Sequence, residues 1–175
     1  MSCKNICIDL DRTFIKKDST IVIFRQFIAK NGIRVLLHDF VLFRVNFLKE
    51  FIAERTELEY IDFCVDYDIV RYILELKSLG FQVHLVTGSN SIIANHFFKK
   101  FDFFDFLHCS SLNLKLKGRN KANYLKYYFK EEKFIYIGDS YKDIHVWRVS
   151  KSGFFPKRFL LKFIFLQKFL GIKPI

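Results

Sequence analysis

The chain has 175 residues, 51% of them hydrophobic and 23 of them phenylalanine, which is enough for a packed core and too apolar for a disordered chain. Its net charge of +11 invites nucleic acid or an anionic membrane as a partner, but it is scattered with no long run of Lys or Arg, which argues against a nucleic-acid-binding module, and a generally basic surface that attracts phosphorylated substrates explains it as well. The four cysteines (Cys3, Cys7, Cys64 and Cys109) form no CxxC pair, which argues against structural zinc and against a disulfide framework.

The first element is a short apolar strand, KNICID at 4–9, which leads directly into Asp9, Asp11 and Thr13. Residues 18–65 then carry helical patterns and no strand signal. One helix is expected from Asp18 or Ser19 to Asn31-Gly32, a second from about Ile33 to Ala53, and a short third after Thr56. The segment is aromatic and basic, with Phe24, Phe27, Phe40, Phe43 and Arg44. After it, strands are expected at 81–86, 105–109, 133–137 and, more weakly, 152–155. Helices are expected in DYDIVRYILELKSLG, NSIIANHFFKKF and RNKANYLKYYFKEE between them. Strands alternating with helices of this length specify an α/β fold, a doubly wound Rossmann-like parallel sheet with helices on both faces.

The expected organisation is a core built from 1–17 and 66–158, a small all-helical insertion at 18–65, and a C-terminal amphipathic helix or tail at 159–175. In that tail Lys157, Arg158, Lys162 and Lys168 share one arc of a helical wheel, with Phe159, Phe163, Ile164, Leu166 and Leu170 largely opposite. Such a helix either packs on the core or lies in a membrane interface. No charge-free window is long enough to span a bilayer, because Arg25, Lys30, Arg34 and Asp39 interrupt the most apolar candidate. The N-terminus runs straight into the first strand without a signal-peptide pattern, so a soluble, cytoplasmic chain is expected, with the tail as its one route to peripheral membrane contact.

In a parallel sheet, functional groups gather at the carboxyl ends of the strands. Those ends carry Asp9 and Asp11, then Thr87 in LVTGSN, then Asp139 and Asp143 in IYIGDSYKD. Lys117 and Lys121 lie in LKLKGRNKANYL. Carboxylates at the mouth of an apolar strand need compensation. Acids, a hydroxyl and a lysine converging on one edge suit Mg²⁺-dependent phosphoryl transfer, since Mg²⁺ takes a few carboxylates plus phosphate oxygens.

DLDRT, LVTGS, a lysine before a helix, and GDSYKD, in that order and each motif following an apolar strand, resemble the four motifs of the haloacid dehalogenase superfamily phosphatases. Over LVTGSN, LNLKLKGRNKANYL and YIGDSYKDIHVW the chain is also similar to the phosphatase-like domain associated with UbiA-type prenyltransferases. The resemblance covers about residues 4–158. It implies an Asp9 nucleophile that forms an aspartyl-phosphate, and Asp11 as the acid that protonates the leaving group and then activates water. It further implies a phosphate cradle of Thr87, the Gly88 amide and a lysine, either Lys121 or Lys117. Mg²⁺ would be held by Asp9, Asp139 and the Asp11 carbonyl, with Asp143 orienting the lysine or the metal's waters. By the same resemblance the helical insertion is a cap over the site that selects a small phosphorylated metabolite or a lipid-linked phosphate. Arg12 stands where the family most often has glycine. The rival reading is a catalytically idle domain that binds a phosphorylated ligand or a membrane partner.

Overall fold

The computed structural model describes residues 4–32, 45–130 and 132–175, with the backbone alone at 45–49. Six strands form one parallel sheet: β1 (Asn5–Ile8), β2 (Gln82–Val86), β3 (Phe106–His108), β4 (Phe134–Ile137), β5 (Ser152–Phe155) and β6 (Lys173–Pro174), in the spatial order β3-β2-β1-β4-β5-β6. Seven helices connect them among the described residues: α1 (Ser19–Asn31), α2 (Val45–Glu54), α3 (Tyr67–Ser78), α4 (Ser91–Lys100), α5 (Gly118–Phe129), α6 (Ile144–Trp147) and α7 (Leu160–Leu170). The architecture is the expected doubly wound α/β fold.

Alternation along each strand sorts the core into two layers. Ile6, Ile8, Val83, Leu85 and Ile137 face one side, where Ile69 and Ile73 of α3 and Ile93 and Phe97 of α4 cover them. Cys7, Val86, Phe134 and Tyr136 face the other, against Ala122 and Leu125 of α5, Trp147 of α6 and Phe163 of α7. The chain leaves β1 toward β2 and β3 on one side, then crosses to β4 and β5 on the other. The gap between β1 and β4 is therefore the switch point at which such sheets bind ligands.

Helix starts follow the sequence signals. Asp18, Asp66 and Asn90 each cap a helix by accepting a backbone N–H, from Ile21, Asp68 and Ile93. Within 18–65 the described residues hold α1, α2 and a 3₁₀ turn at Leu58–Tyr60. The start of the second expected helix, with Phe40, Phe43 and Arg44, lies outside the described residues, as does Cys3. Helix α1 packs on α2, with the Phe27 and Phe51 rings edge-on at 6.3 Å, and Ile23, Phe27 and Ile52 continue the first core layer. Many of the phenylalanines work in one place: Phe14, fully buried just after β1, is met edge-on by Phe97, Phe101, Phe103 and Phe104.

The C-terminal segment departs from its expected form in two ways. It contains a sixth strand, because Gly171, at φ 64°, ends α7 and turns the chain so that Lys173 pairs with Phe154. A two-residue edge strand carries no periodicity that would announce it. The wheel is also rotated relative to the expected arcs. Phe163 is the buried anchor, edge-on to Trp147, Phe155 and Tyr141, while Ile164, assigned to the apolar arc, points outward. Arg158 and Lys162, of the basic arc, turn inward. Arg158 pairs with the Asp66 carboxylate and donates to the Arg12 carbonyl. Lys162 lies over the Phe159 and Phe163 rings, 5.0 and 4.7 Å from their centroids, and donates to the Asp139 carbonyl. Long cationic stems lie on aromatic surface and reach acceptors with their heads, so charge alone does not mark the exposed face of a helix.

Candidate active site

The register sets the geometry. Ile8 pairs with Leu85 on one side and Ile137 on the other, so the loops after β1, β2 and β4 emerge together. Asp9 begins the first loop, anchored by its amide on the Ile137 carbonyl at 3.0 Å. Asp139 and Asp143 belong to the loop after β4. One carboxylate oxygen from each of Asp9, Asp139 and Asp143 lies within 4.8 Å of the other two, and all three side chains are buried.

Beneath this cluster lies Lys121, on the inner face of α5 with Ala122 and Leu125. Its ammonium donates to Asp9 Oδ1 at 2.7 Å, to the Val86 carbonyl at 3.3 Å and to the Tyr136 hydroxyl at 3.0 Å. Tyr136 passes the chain on, donating to Asp143 Oδ1 at 2.8 Å. Asp143 Oδ2 accepts the Ser140 amide at 2.9 Å in a capping box that fixes the loop. Gly138 permits this closeness, since a Cβ there would stand 2.7 Å from the Tyr136 ring and 2.8 Å from the Asp143 carboxylate.

Among its buried groups the cluster has three carboxylates and one ammonium, with Arg12 and Lys162 reaching Asp139 from the more exposed side. Burial, then the neighbouring Asp143 and Asp139 carboxylates, push Asp9 up to about 7, although Lys121 pulls it down. Burial pushes Asp139 up to about 6, against the pull of Arg12. Burial disfavours the Lys121 cation, but the Asp9 and Asp143 carboxylates together outweigh it and raise its affinity for the proton. The buried Asp139 Oδ2 has Arg12 Nε at 3.1 Å, yet in an orientation that makes no hydrogen bond. Buried, mutually repelling carboxylate oxygens with a single lysine and an unsatisfied acceptor fit a hard divalent cation such as Mg²⁺.

Asp11 stands apart from the three-carboxylate cluster. Its Oδ1 accepts the Ser19 amide at 2.7 Å at the start of α1, and its Oδ2 accepts the Ser89 hydroxyl at 2.7 Å. Thr87 is buried at the end of β2, where its hydroxyl accepts the Ser89 amide at 3.0 Å. Gly88 gives the loop its close approach to Lys117, whose Cε would lie 2.5 Å from a Cβ at that position. Of the two candidate lysines, Lys121 reaches Asp9 and Lys117 lines the rim of the cavity above. That cavity, about 160 Å³, is lined by Asp9, Asp11, Arg12, Lys117, Asp139 and Lys142 among others. Gly88 and Lys117 also line a neighbouring cavity of about 540 Å³, whose walls include Glu50 of α2, Asn90, Ser110 and Lys115.

Sequence reasoning missed Tyr136, Ser19 and Ser89. Tyr136 reads as an ordinary core aromatic of β4, and only its position under Lys121 and Asp143 gives its hydroxyl a task. Ser89 had a signal, since it follows Thr87 in the same loop. Arg12 stands where the family most often has glycine, and its φ of 57° shows why glycine suits the position: the backbone there is left-handed.

Comparisons with known proteins bear on the family and the fold. A family model described as haloacid dehalogenase-like hydrolase matches residues 12–146. An uncharacterized protein of Sinorhizobium fredii, y4nM, is 34% identical over 86 residues, and the match spans 49% of this chain and 16% of that protein. A Bordetella pertussis protein of unknown function superposes with a TM-score of 0.71 at 13% identity, covering 99% of each chain. A phospho-aspartyl intermediate analogue of phosphoserine phosphatase superposes with a TM-score of 0.62 at 18% identity, covering 99% of this chain and 94% of the other. These likenesses are of fold, whereas the family match extends over most of the chain. Taken with the acids at the ends of β1 and β4, it establishes that the chain belongs to the haloacid dehalogenase-like hydrolases.

Proposed function

We propose that the protein is a Mg²⁺-dependent phosphomonoester hydrolase acting through a phosphorylated Asp9. The observation that carries this reading is the buried cluster of Asp9, Asp139 and Asp143 with Lys121 donating to Asp9 at 2.7 Å. Asp9, Asp139 and Asp143 would hold the ion, with the Asp11 carbonyl as the further ligand that the family resemblance implies. When bound, Mg²⁺ supplies positive charge that offsets the carboxylates and polarises a phosphate oxygen.

The remaining steps belong to the chain's own residues. An Asp9 oxygen bonds to phosphorus while the bond from phosphorus to the substrate's bridging oxygen breaks. Asp11, steadied by Ser19 and Ser89, gives its proton to the departing alkoxide. Asp11 then takes a proton from a water that attacks the phosphorus, releasing orthophosphate and restoring the Asp9 carboxylate. Lys121, Thr87 and the Gly88 amide would stabilise the charge that develops on the phosphoryl oxygens, as the family resemblance implies. Tyr136 and Asp143 hold Lys121 in place.

The helical insertion would serve as a cap, and Glu50 of α2 already lines the larger cavity. Its lining mixes hydroxyl, amide and charged groups with apolar surface that includes Leu112, which suits the leaving group of a small phosphorylated metabolite. The test is a panel of phosphorylated metabolites and an aryl phosphate, assayed with Mg²⁺. Turnover should vanish in excess chelator and in Asp9→Asn, and Ca²⁺ should inhibit because its larger coordination number engages both Asp9 oxygens. Acid-quenched enzyme incubated with labelled substrate should retain label in the wild type and none in Asp9→Asn. Undiminished turnover by Asp9→Asn would overturn the covalent mechanism.

A further inference from the structure

Helix α7 is apolar on both sides. Phe163 is fully buried on its inner side, yet Leu161, Ile164, Phe165 and Phe169 are 85%, 51%, 79% and 79% exposed on the outer one. Their spacing of three, one and four residues places them on a single helical face. Other large exposed apolar side chains, such as Tyr60, Leu79 and Tyr127, lie on separate elements; this face concentrates four on one helix. A contiguous exposed apolar face marks an interaction surface.

The charge around the face says what covers it. From Ile144 to Ile175 the chain has seven Lys and Arg residues and no Asp or Glu. Arg158 and Lys162 are engaged at the site. Lys168, within the apolar face, and Lys157 and Lys173, beyond the two ends of α7, are exposed. A second copy seated on this face would set a basic rim against an identical basic rim in a chain of net charge +11. Nucleic acid would match the lysines but leave the phenylalanines without a partner. An anionic bilayer answers both features, taking aromatic and aliphatic side chains at the acyl boundary and lysines among the headgroups.

We propose that the outer face of α7 docks on an anionic lipid surface, with the helix lying in the interface. Eleven residues span about 16 Å, too short to cross a bilayer and suited to lying along one. The inner side of the same helix is fastened to the loop after β4, where Tyr141 donates to the Lys162 carbonyl and Lys162 to the Asp139 carbonyl. A docked α7 therefore sets the site's loop about one helix diameter, roughly 10 Å, from the lipid. This placement does not depend on the identity of the substrate.

The experiment is flotation of the full chain with vesicles of phosphatidylcholine alone or with roughly a third phosphatidylglycerol, at low and high salt. The chain is expected to float with the anionic vesicles only, and its partitioning should fall about tenfold or more in high salt. The double variant Phe165→Ser/Phe169→Ser should stay soluble with an unchanged thermal midpoint and unchanged aryl-phosphate turnover. Lys168→Glu/Lys173→Glu, which keeps the apolar face, should weaken binding as well. Failure of the wild type to float at low salt, equal flotation with neutral vesicles, or wild-type flotation by the Phe variant would overturn the proposal. So would a dimer in light scattering that the Phe variant dissociates. A chain that floats but hydrolyses nothing would leave the docking surface standing and the hydrolase reading refuted.

Discussion

The Tyr136 hydroxyl accepts a hydrogen bond from the Lys121 ammonium at 3.0 Å, in a layer of the core where both side chains are buried. The same hydroxyl donates to Asp143, so one phenol links the lysine under Asp9 to the acid of the fourth motif. Tyr136→Phe removes that link without changing the packing volume. It leaves Asp143 Oδ1 without its donor, which should lower stability by about 1–3 kcal/mol. The looser lysine should reduce kcat about tenfold with little change in KM. Urea unfolding and steady-state kinetics on one preparation check both. An unchanged kcat would show that Lys121 is positioned by Asp9 and the Val86 carbonyl alone.

Substitution of the two lysines should separate their roles. Lys121→Met strands Asp9 beside Asp139 and Asp143 with its nearest cation gone, and should destabilise the metal-free protein by about 3–5 kcal/mol. Its kcat should fall roughly 10²–10³-fold. Lys117→Ala, at the rim shared by the two cavities, should raise KM severalfold and lower kcat less. The opposite pattern would move the phosphate-stabilising role to Lys117.

A second buried cluster should make its own contribution to stability fall in acid. His84 Nδ1 and His108 Nε2 are 3.0 Å apart, and the pair is hydrogen-bonded onward to Asn5 and to the Tyr124 hydroxyl. Burial, and for His84 also the neighbouring His108, lowers each ring from 6.5 to about 4, with Asp105 pulling His84 slightly back. Between these values the unfolded chain binds protons that the folded chain refuses. The stabilisation is complete above pH 6.5 and is lost as pH falls toward 4, at a rate approaching roughly 1 kcal/mol per pH unit for each ring. Asp9 and Asp139, raised to about 7 and 6, take up protons in the folded state over the same range and offset this loss, so the His contribution is read as a difference: on going from pH 7 to pH 4.5 the thermal midpoint of His84→Gln/His108→Gln should fall less, or rise more, than that of the wild type. An unaltered slope in the double variant would assign acid lability to other groups.

Two phenylalanines of α7, two residues apart, should respond oppositely to truncation. Phe163→Ala opens a cavity among Tyr141, Trp147 and Phe155 and should cost about 3–5 kcal/mol. Phe165→Ala, 79% exposed, should change stability by no more than about 0.5 kcal/mol. Denaturant midpoints read both, and equal losses would contradict the orientation of the helix.

Much of the arrangement was legible in the chain because it rests on local properties. Short apolar runs flanked by turn residues specify strands, and Asp18, Asp66 and Asn90 specify helix starts. Asp9, Asp139 and Asp143 lie at strand ends because each follows an apolar run within a few residues. Those features determine a doubly wound sheet with an acidic switch point. The tertiary structure decided which groups meet. Lys117 and Lys121 lie four residues apart, and only the packing of α5, with Ala122 and Leu125 against the sheet, puts Lys121 under Asp9. Tyr136 acquires a role because β4 lies beside β1 in a register that aims its ring at α5. Helix α7 is apolar nearly all round, so its sequence left the rotation open until Phe163 found Trp147 and Phe155, turning Lys162 inward and Phe165 outward. Periodicity reports the conformation of a segment, while the partner of a side chain depends on register and on the rotation of elements distant in sequence, which no local pattern encodes.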